Sequence, residues 1–276
     1  MVAFRDFIKA FRAVGLNQSQ PVIVHSSLSS VGEIRGGAET VLGALLTVTS
    51  GVLAPTFTYQ TMITPEVGPE DNAIVYGSGK EQNRMAVFFH PDLPADPLMG
   101  ILPETIRKHP DAKRSMHPIL SFAGIHVDEA IDSQTIEEPM APIRTLMEQD
   151  GIVLLIGVDH TVNTSIHYAE FLAGRKQFLR WALTPRGILA CPRFNGCSAG
   201  FEQAAPYLSA ITKTASVGNA SLRAVPLKPM IEILTELIKQ QPDALLCHTN
   251  DERCEAVRRS LQPQADEDQG SIVSHG

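Results

Sequence analysis

Residues 151–174 read GIVLLIGVDHTVNTSIHYAEFLAG, and the change of period inside this stretch decides the fold class. Gly151 to Gly157 is apolar between its two glycines, as a central strand covered on both faces must be. A short turn, VDHTV, follows. Asn163 then stands where a helix wants its N-cap, ahead of TSIHYAEFLAG, which stops at Gly174. Strand, loop and helix in this order form the basic unit of an α/β protein.

Working outward, the same unit recurs near the start. Phe4, Phe7, Ile8, Phe11 and Val14 make one apolar stripe, which predicts a helix ended by Gly15. Pro21 to His25 is a β-branched run that predicts a buried strand. It runs into the glycine-punctuated loop SSLSSVGEIRGG, a helix from Ala38 to about Val48 and a strand from Gly51 to Pro55. Residues 126–150 predict an outer layer with one amphipathic helix. Further helices are expected at about 200–210, 226–240 and 251–261, with a short strand from Ala244 to Cys247. No repeat or linker divides the chain, so one domain is expected over 1–262, with a flexible tail over 263–276. Residues 59–98 stand out because their first part lacks periodic apolar residues and is rich in Gly, Pro and acid, the signature of an inserted lid.

Composition narrows the function. The chain has 276 residues, 43% hydrophobic and 19% charged, enough for a sizeable core and unlike a disordered chain. Lys and Arg number 23 against 30 Asp and Glu, a net charge of −7 that speaks against a nucleic-acid partner and for a positively charged small one. No apolar run approaches the ~20 residues of a membrane span. The N-terminal MVAFRDFIKAFRAVG interleaves charge with apolar residues, unlike a signal peptide, so a cytoplasmic protein is expected. Cys191, Cys197, Cys247 and Cys254 are then reduced thiols. Their C-x5-C and C-x6-C spacings miss the usual zinc knuckle, and no metal is expected.

Two strand-to-helix loops carry histidine, His25 in HSSLSSVG and His167 in NTSIHYAE. Such loop ends collect ligands in α/β proteins. Thr164, His167 and Glu170 recur at i, i+3 and i+6 behind Asn163 and share a helix face. A first-turn imidazole meets the positive end of the helix and is kept as a neutral base, and a carboxylate one turn on can orient it. The serines of the first loop and the Gly36–Gly37 pair at a helix start offer a cradle for anionic or amide groups. Neither a G-x-x-x-x-G-K-[ST] nor a G-x-G-x-x-G motif is present. Arg107, Lys108, Lys113 and Arg114 bring four positive charges within eight residues, which suits phosphate or carboxylate recognition; a solvated helix face is the alternative.

Three blocks in order, HSSLSSVGEIRGGAETVLGALL (25–46), LPETIRKHPDAKRSMHPILSFAG (102–124) and VLLIGVDHTVNTSIHYAE (153–170), resemble the aminoglycoside 3-N-acetyltransferase family, which differs in fold from the GCN5-related acetyltransferases. The resemblance spans about residues 15–262. It implies a three-layer α/β/α sandwich on a mixed central sheet with an inserted lid, and acetyl transfer from acetyl-coenzyme A to an amine, a change that confers antibiotic resistance. It implies His167 as general base, supported by Glu170 and Thr164, with His25 in the working site. Coenzyme A would be bound by Ser26, Ser27, Leu28, Gly36, Gly37, Arg114, Ser115, His117, Ser121 and Phe122. An aminoglycoside, acetylated on its 3-amino group, would meet Glu66, Glu70, Asp71, Glu81 and Asn163. The implied assembly is a monomer or homodimer.

The sequence departs from the family after the SFAG block, where DSQTIEEPMAPIRTL (132–146) lacks the histidine-proline and glycine-x-x-serine-proline elements and leaves the acceptor open. Direct transfer is expected because no cysteine lies in the three blocks; a serine or threonine acyl-enzyme is the other route. Three other readings stand beside it: an acetyltransferase of the same family acting on a non-aminoglycoside amine, a thioesterase or hydrolase using the same His–Glu pair, and a non-catalytic binding protein.

Overall fold

The computed structural model describes residues 1–262; the tail expected over 263–276 lies outside the described residues. Helix α1 (Phe4–Ala13) leads to β1 (Pro21–Ser26), α2 (Gly37–Val48) and β2 (Gly51–Pro55). An excursion follows, with β3 (Met62–Ile63) and α3 (Lys80–Met85). The chain returns through α4 (Ile101–Lys108), β4 (Lys113–Arg114) and β5 (Phe122–Ile125). Helices α5 (Asp128–Ser133) and α6 (Ala141–Glu148) precede β6 (Ile152–Ile156) and α7 (Ile166–Leu172). Strands β7 (Phe178–Thr184) and β8 (Gly187–Phe194), helix α8 (Ala205–Leu208), strands β9 (Lys213–Val217) and β10 (Ala220–Pro226), and helices α9 (Leu227–Gln240) and α10 (Glu252–Ser260) complete it.

Seven strands form a mixed sheet in the order β4-β5-β2-β1-β6-β10-β9. The β1 strand is parallel to β2 and β6, with Val22 opposite Ile152 and Ser26 opposite Ile156; the outer strands are antiparallel. Alternation along the strands feeds two cores. Val22, Val24, Leu154 and Ile156 pack with α1, α2 and α4 on one face, whereas Ile23, Val153 and Leu155 pack with α5, α6, α7 and α9 on the other. The result is the three-layer α/β/α sandwich, with a second sheet β3-β7-β8 at its side.

This topology places the site. The loop after β1 leads to α2 on one face and the loop after β6 leads to α7 on the opposite face. The two loops diverge at the carboxyl ends of neighbouring parallel strands, which opens a crevice there. Gly157 holds the two loops close: at φ 64° it adopts a left-handed conformation, and a β-carbon there would collide with Ser30.

Several local expectations give way. Residues 126–150 hold two helices, because Gln134 turns the chain between them and donates to the carbonyls of Leu120 and Pro139. Ala244 to Cys247 is a buried turn, not a strand, with Leu245 at φ 65°. A four-residue apolar run does not by itself distinguish the two. The segment 59–98, expected as an inserted lid, is not built alone either, since Met62 and Ile63 pair with Ala182 and Trp181 of the β7–β8 hairpin. Among the described residues no helix is long and apolar enough to cross a membrane.

Candidate active site

A cleft of about 1180 Å³ opens over the carboxyl ends of β1 and β6. Its base is the end of β1 and the loop beyond, from Val24 through His25, Ser26, Ser27 and Leu28 to Ser29. One wall is formed where the chain leaves for and returns from the 59–98 segment, with Phe57, Tyr59 and Met62 on one stretch and Leu98, Met99 and Ile101 on the other. The far wall joins Thr161, Val162, Thr164 and His167 to Arg180, the 194–198 loop and the turn into α10, Asn250 to Arg253.

The histidine is positioned from below. The Asp159 carboxylate accepts the N–H of Thr161 at 2.9 Å and closes the turn after β6. The backbone then enters α7 at Ser165, so His167 is the second residue of the helix. Its ring packs edge-on against buried Phe201, with centroids 4.8 Å apart. Its Nδ1 lies 2.6 Å from Oε2 of Glu170, whose Oε1 accepts a hydrogen bond from Arg175 at 2.7 Å. All three side chains are almost wholly buried. Burial pushes the Glu170 carboxyl up, but its hydrogen bonds and attraction to His167 and Arg175 outweigh this and hold it below the ordinary value. A carboxylate only accepts, so Nδ1 of His167 carries a proton and Nε2 is the nitrogen left for chemistry at the cleft.

His25 lies across the crevice, 5% exposed, with no partner for Nε2. Burial and nearby His160 push its pKa down to about 3, so it is a neutral ring with an unsatisfied nitrogen. His160 is fixed in turn by Asn163 Nδ2 at 3.1 Å, and its N–H donates to Glu202, which pairs with Arg223 at 2.7 Å.

Of the residues expected here, the cleft brings together His25, Ser26, Ser27, Leu28, Thr164 and His167, with Glu170 directly behind. Others sit elsewhere. Gly36 and Gly37 lie outside the wall; with φ of 80° and 61° they make the left-handed turn into α2, which is their structural reason to be glycine. Asn163 is fully buried, and its side chain is consumed by His160 and the N–H of Ser165, so it neither caps α7 nor meets an acceptor.

In the RSMHPILSF block most polar side chains are engaged within the protein. The Arg114 guanidinium donates to Ser121 Oγ at 3.2 Å and to the carbonyls of Pro91, Leu93 and Thr56, leaving little for a phosphate. Ser115 braces Phe122, donating to its carbonyl and accepting its N–H at 2.8 Å. His117 Nδ1 accepts the N–H groups of Ile119 and Leu120, and burial lowers its pKa to about 4. Ser121 and Phe122 are fully buried. Of this block, the cleft touches Leu120. Arg107 and Lys108 pair with Glu104, and Lys113 with Asp128 and Asp132, so the basic cluster is neutralised internally.

The lid acids also miss the wall. Asp71 is held by Lys176 at 3.3 Å and by Arg259 at 2.6 Å, Glu81 faces Arg84 on the surface, and Glu66 and Glu70 are exposed. The acids that do line the cleft are Asp251 and Glu252. They escaped notice because they read as an ordinary helix start, and Asp251 is indeed the N-cap of α10, accepting from Arg253 N at 2.9 Å.

Comparison with known proteins sets this geometry in context. Residues 23–239 match the family model described as aminoglycoside 3-N-acetyltransferase. The chain is 30% identical over 172 residues to the SPbeta prophage-derived aminoglycoside N(3')-acetyltransferase-like protein YokD of Bacillus subtilis (strain 168), covering 58% of this chain and 61% of that one. It is 33% identical over 171 residues to aminoglycoside N(3)-acetyltransferase VII of Streptomyces paromomycinus, covering 58% and 57%. The matched stretch thus spans about three-fifths of each relative. Among solved structures, the apoenzyme of aminoglycoside acetyltransferase AAC(3)-IVa superposes with a TM-score of 0.75 at 23% identity, over 94% of this chain and 98% of that one. A mutant of that enzyme is described in complex with a gentamicin, with a TM-score of 0.75 at 22% identity over 94% and 98%. AAC-IIIb, described as a binary complex with CoASH, gives 0.70 at 21% identity over 87% and 97%. These likenesses show the shared fold.

Proposed function

Because the chain belongs to the aminoglycoside 3-N-acetyltransferase family, we propose that it transfers the acetyl group of acetyl-coenzyme A to an amine of an aminoglycoside, the 3-amino group, conferring resistance. The observation that carries this reading is the wall of the cleft at His167, whose Nδ1 is locked to a buried carboxylate that Arg175 anchors. We read residues 1–262 as one catalytic domain with 59–98 as its acceptor-side lid, working in the cytoplasm.

The chain's residues fit one end of the cosubstrate. The hydroxyls of Ser26, Ser27 and Ser29, in the loop that follows His25, line the base of the cleft, where a carbonyl oxygen finds donors. Leu98, Met99, Ile101 and Val162 give the rim an apolar side suited to a pantetheine arm. Acetyl-coenzyme A supplies the acyl group as a thioester when bound.

An ammonium, with a pKa near 10, is no nucleophile, so a proton must leave the acceptor. Nε2 of His167 takes a proton from the attacking nitrogen and holds it beside the cleft. Glu170 stabilises the imidazolium without moving, because Arg175 fixes its other oxygen. The same Nε2 returns the proton to the departing sulfur. Donors near the end of β1 stabilise charge that builds on the carbonyl oxygen. Glu252 supplies a negative charge for a polycationic acceptor, while Asp251 is paired with Arg253 at 3.2 Å.

The direct test is thiol release from acetyl-coenzyme A with and without a panel of aminoglycosides. Release that depends on the amine supports transfer; release at the same rate without any amine means hydrolysis and overturns it.

A further inference from the structure

Three cysteines from distant parts of the chain converge behind the far wall of the cleft. Cys197 follows β8, Cys247 ends the buried turn after α9, and Cys254 lies in the first turn of α10. They are 7%, 3% and 1% exposed, and their sulfurs all lie within 4.8 Å of one another, with Cys247 and Cys254 at 3.2 Å. Four thiolates around zinc at 2.3 Å stand about 3.8 Å apart, so these separations suit a shared ion.

We propose that Cys197, Cys247 and Cys254 form a binding site for a thiophilic divalent cation of the zinc class. The surroundings fit. The N–H of Ala199 points at the Cys197 sulfur at 3.4 Å, the kind of donor that steadies a thiolate ligand, and the Thr249 hydroxyl stands within hydrogen-bond reach of the Cys247 sulfur at 3.1 Å. Three thiolates with a divalent ion leave one net negative charge. The guanidinium of Arg253, bonded to the carbonyl of Gly196 and paired with Asp251 at 3.2 Å, lies alongside. Loading releases three thiol protons to solvent. Cys191, the fourth cysteine, lies apart, its sulfur on the carbonyl of Leu189.

The consequence is structural and independent of the acetyl-transfer reading. The cluster joins the 195–198 loop to the 250–253 turn, the two segments that bring Asn195, Gly196, Ser198, Asp251 and Glu252 to the cleft. An ion there clasps the acceptor wall together.

The test uses the full chain, purified without an affinity tag and without chelator. About one zinc per chain is expected, and exchange with Co2+ should give the strong near-ultraviolet thiolate-to-cobalt band and the visible bands of a tetrahedral site. Cys191→Ser should keep these signals and Cys254→Ser should lose them. Wild-type protein without zinc that gives no cobalt band overturns the site, whether its thiols are free or a Cys247–Cys254 disulfide is found by mass spectrometry. A cobalt band that survives Cys254→Ser overturns it as well.

Discussion

Nδ1 of His167 and Oε2 of Glu170, both almost wholly buried, stand 2.6 Å apart. One turn of helix brings them together, and Arg175, on the turn that follows, fixes the carboxylate from the other side. The pair therefore does more than sit in contact. It determines which imidazole nitrogen carries the proton and which is free to work.

Glu170→Gln should lower kcat about 10- to 100-fold with little change in acetyl-coenzyme A binding, since the ring keeps its place but loses the charge that stabilises imidazolium. Arg175→Ala should destabilise the fold by about 3–5 kcal/mol, because it strands a buried carboxylate. Steady-state kinetics and urea unfolding measure the two effects separately.

Arg114 ties the 59–98 segment to the sheet through carbonyls of residues 56, 91 and 93. Arg114→Ala should cost about 2–4 kcal/mol in stability, and Arg114→Lys should recover less than half, because an ammonium lacks the planar fork. Coenzyme A affinity in the folded variants should stay within about twofold. A large loss of affinity rescued by lysine would instead place Arg114 on a phosphate.

Two buried histidines set an acid limit. His25 and His117 have pKa values lowered to about 3 and about 4 from 6.5. Below pH 6.5 the unfolded chain takes up protons that the native state refuses, so stability is full above that pH and falls toward pH 4 and below. At 1.36 kcal/mol per pKa unit, His117 alone accounts for a loss on the order of 3 kcal/mol. Denaturant midpoints between pH 7 and pH 4 should show this fall, shallower in His117→Asn. A flat profile would contradict it.

Glu252 lines the cleft and is not the helix cap, so it reports acceptor electrostatics cleanly. Glu252→Gln should raise the acceptor KM about three- to tenfold at low salt, an effect that fades as ionic strength rises. Glu66→Gln and Glu81→Gln should leave it unchanged. The reverse pattern would restore the lid as the acceptor surface.

Much of the fold was legible because it rests on local periods. The apolar run at 151–157 and the stripe on α1 speak for themselves, and His167 with Glu170 follows from helical spacing. The β9–β10 hairpin carried a signal too, the Gly218–Asn219 turn between Lys213–Val217 and Ala220–Pro226, but alternation over so few residues is weak. Arg175 was not legible, since only the left-handed turn at Gly174 brings it back to Glu170. The engagement of the RSMHPILSF block was not legible for a physical reason: residue types that bind phosphates also bind buried carbonyls, and only tertiary packing decides which. Asp251 and Glu252 reach the cleft at the start of α10, where Arg253 bonds the carbonyl of Gly196, a tertiary contact that no local pattern shows.

The proposed function turns on His167, and the decisive measurement is amine-dependent thiol release by His167→Ala beside wild type, with acetyl-coenzyme A binding followed by calorimetry. A general base at Nε2 predicts a fall in kcat of about 10²- to 10⁴-fold with the binding constant nearly unchanged. Amine-dependent release at the wild-type rate from a variant that binds acetyl-coenzyme A normally would contradict that role.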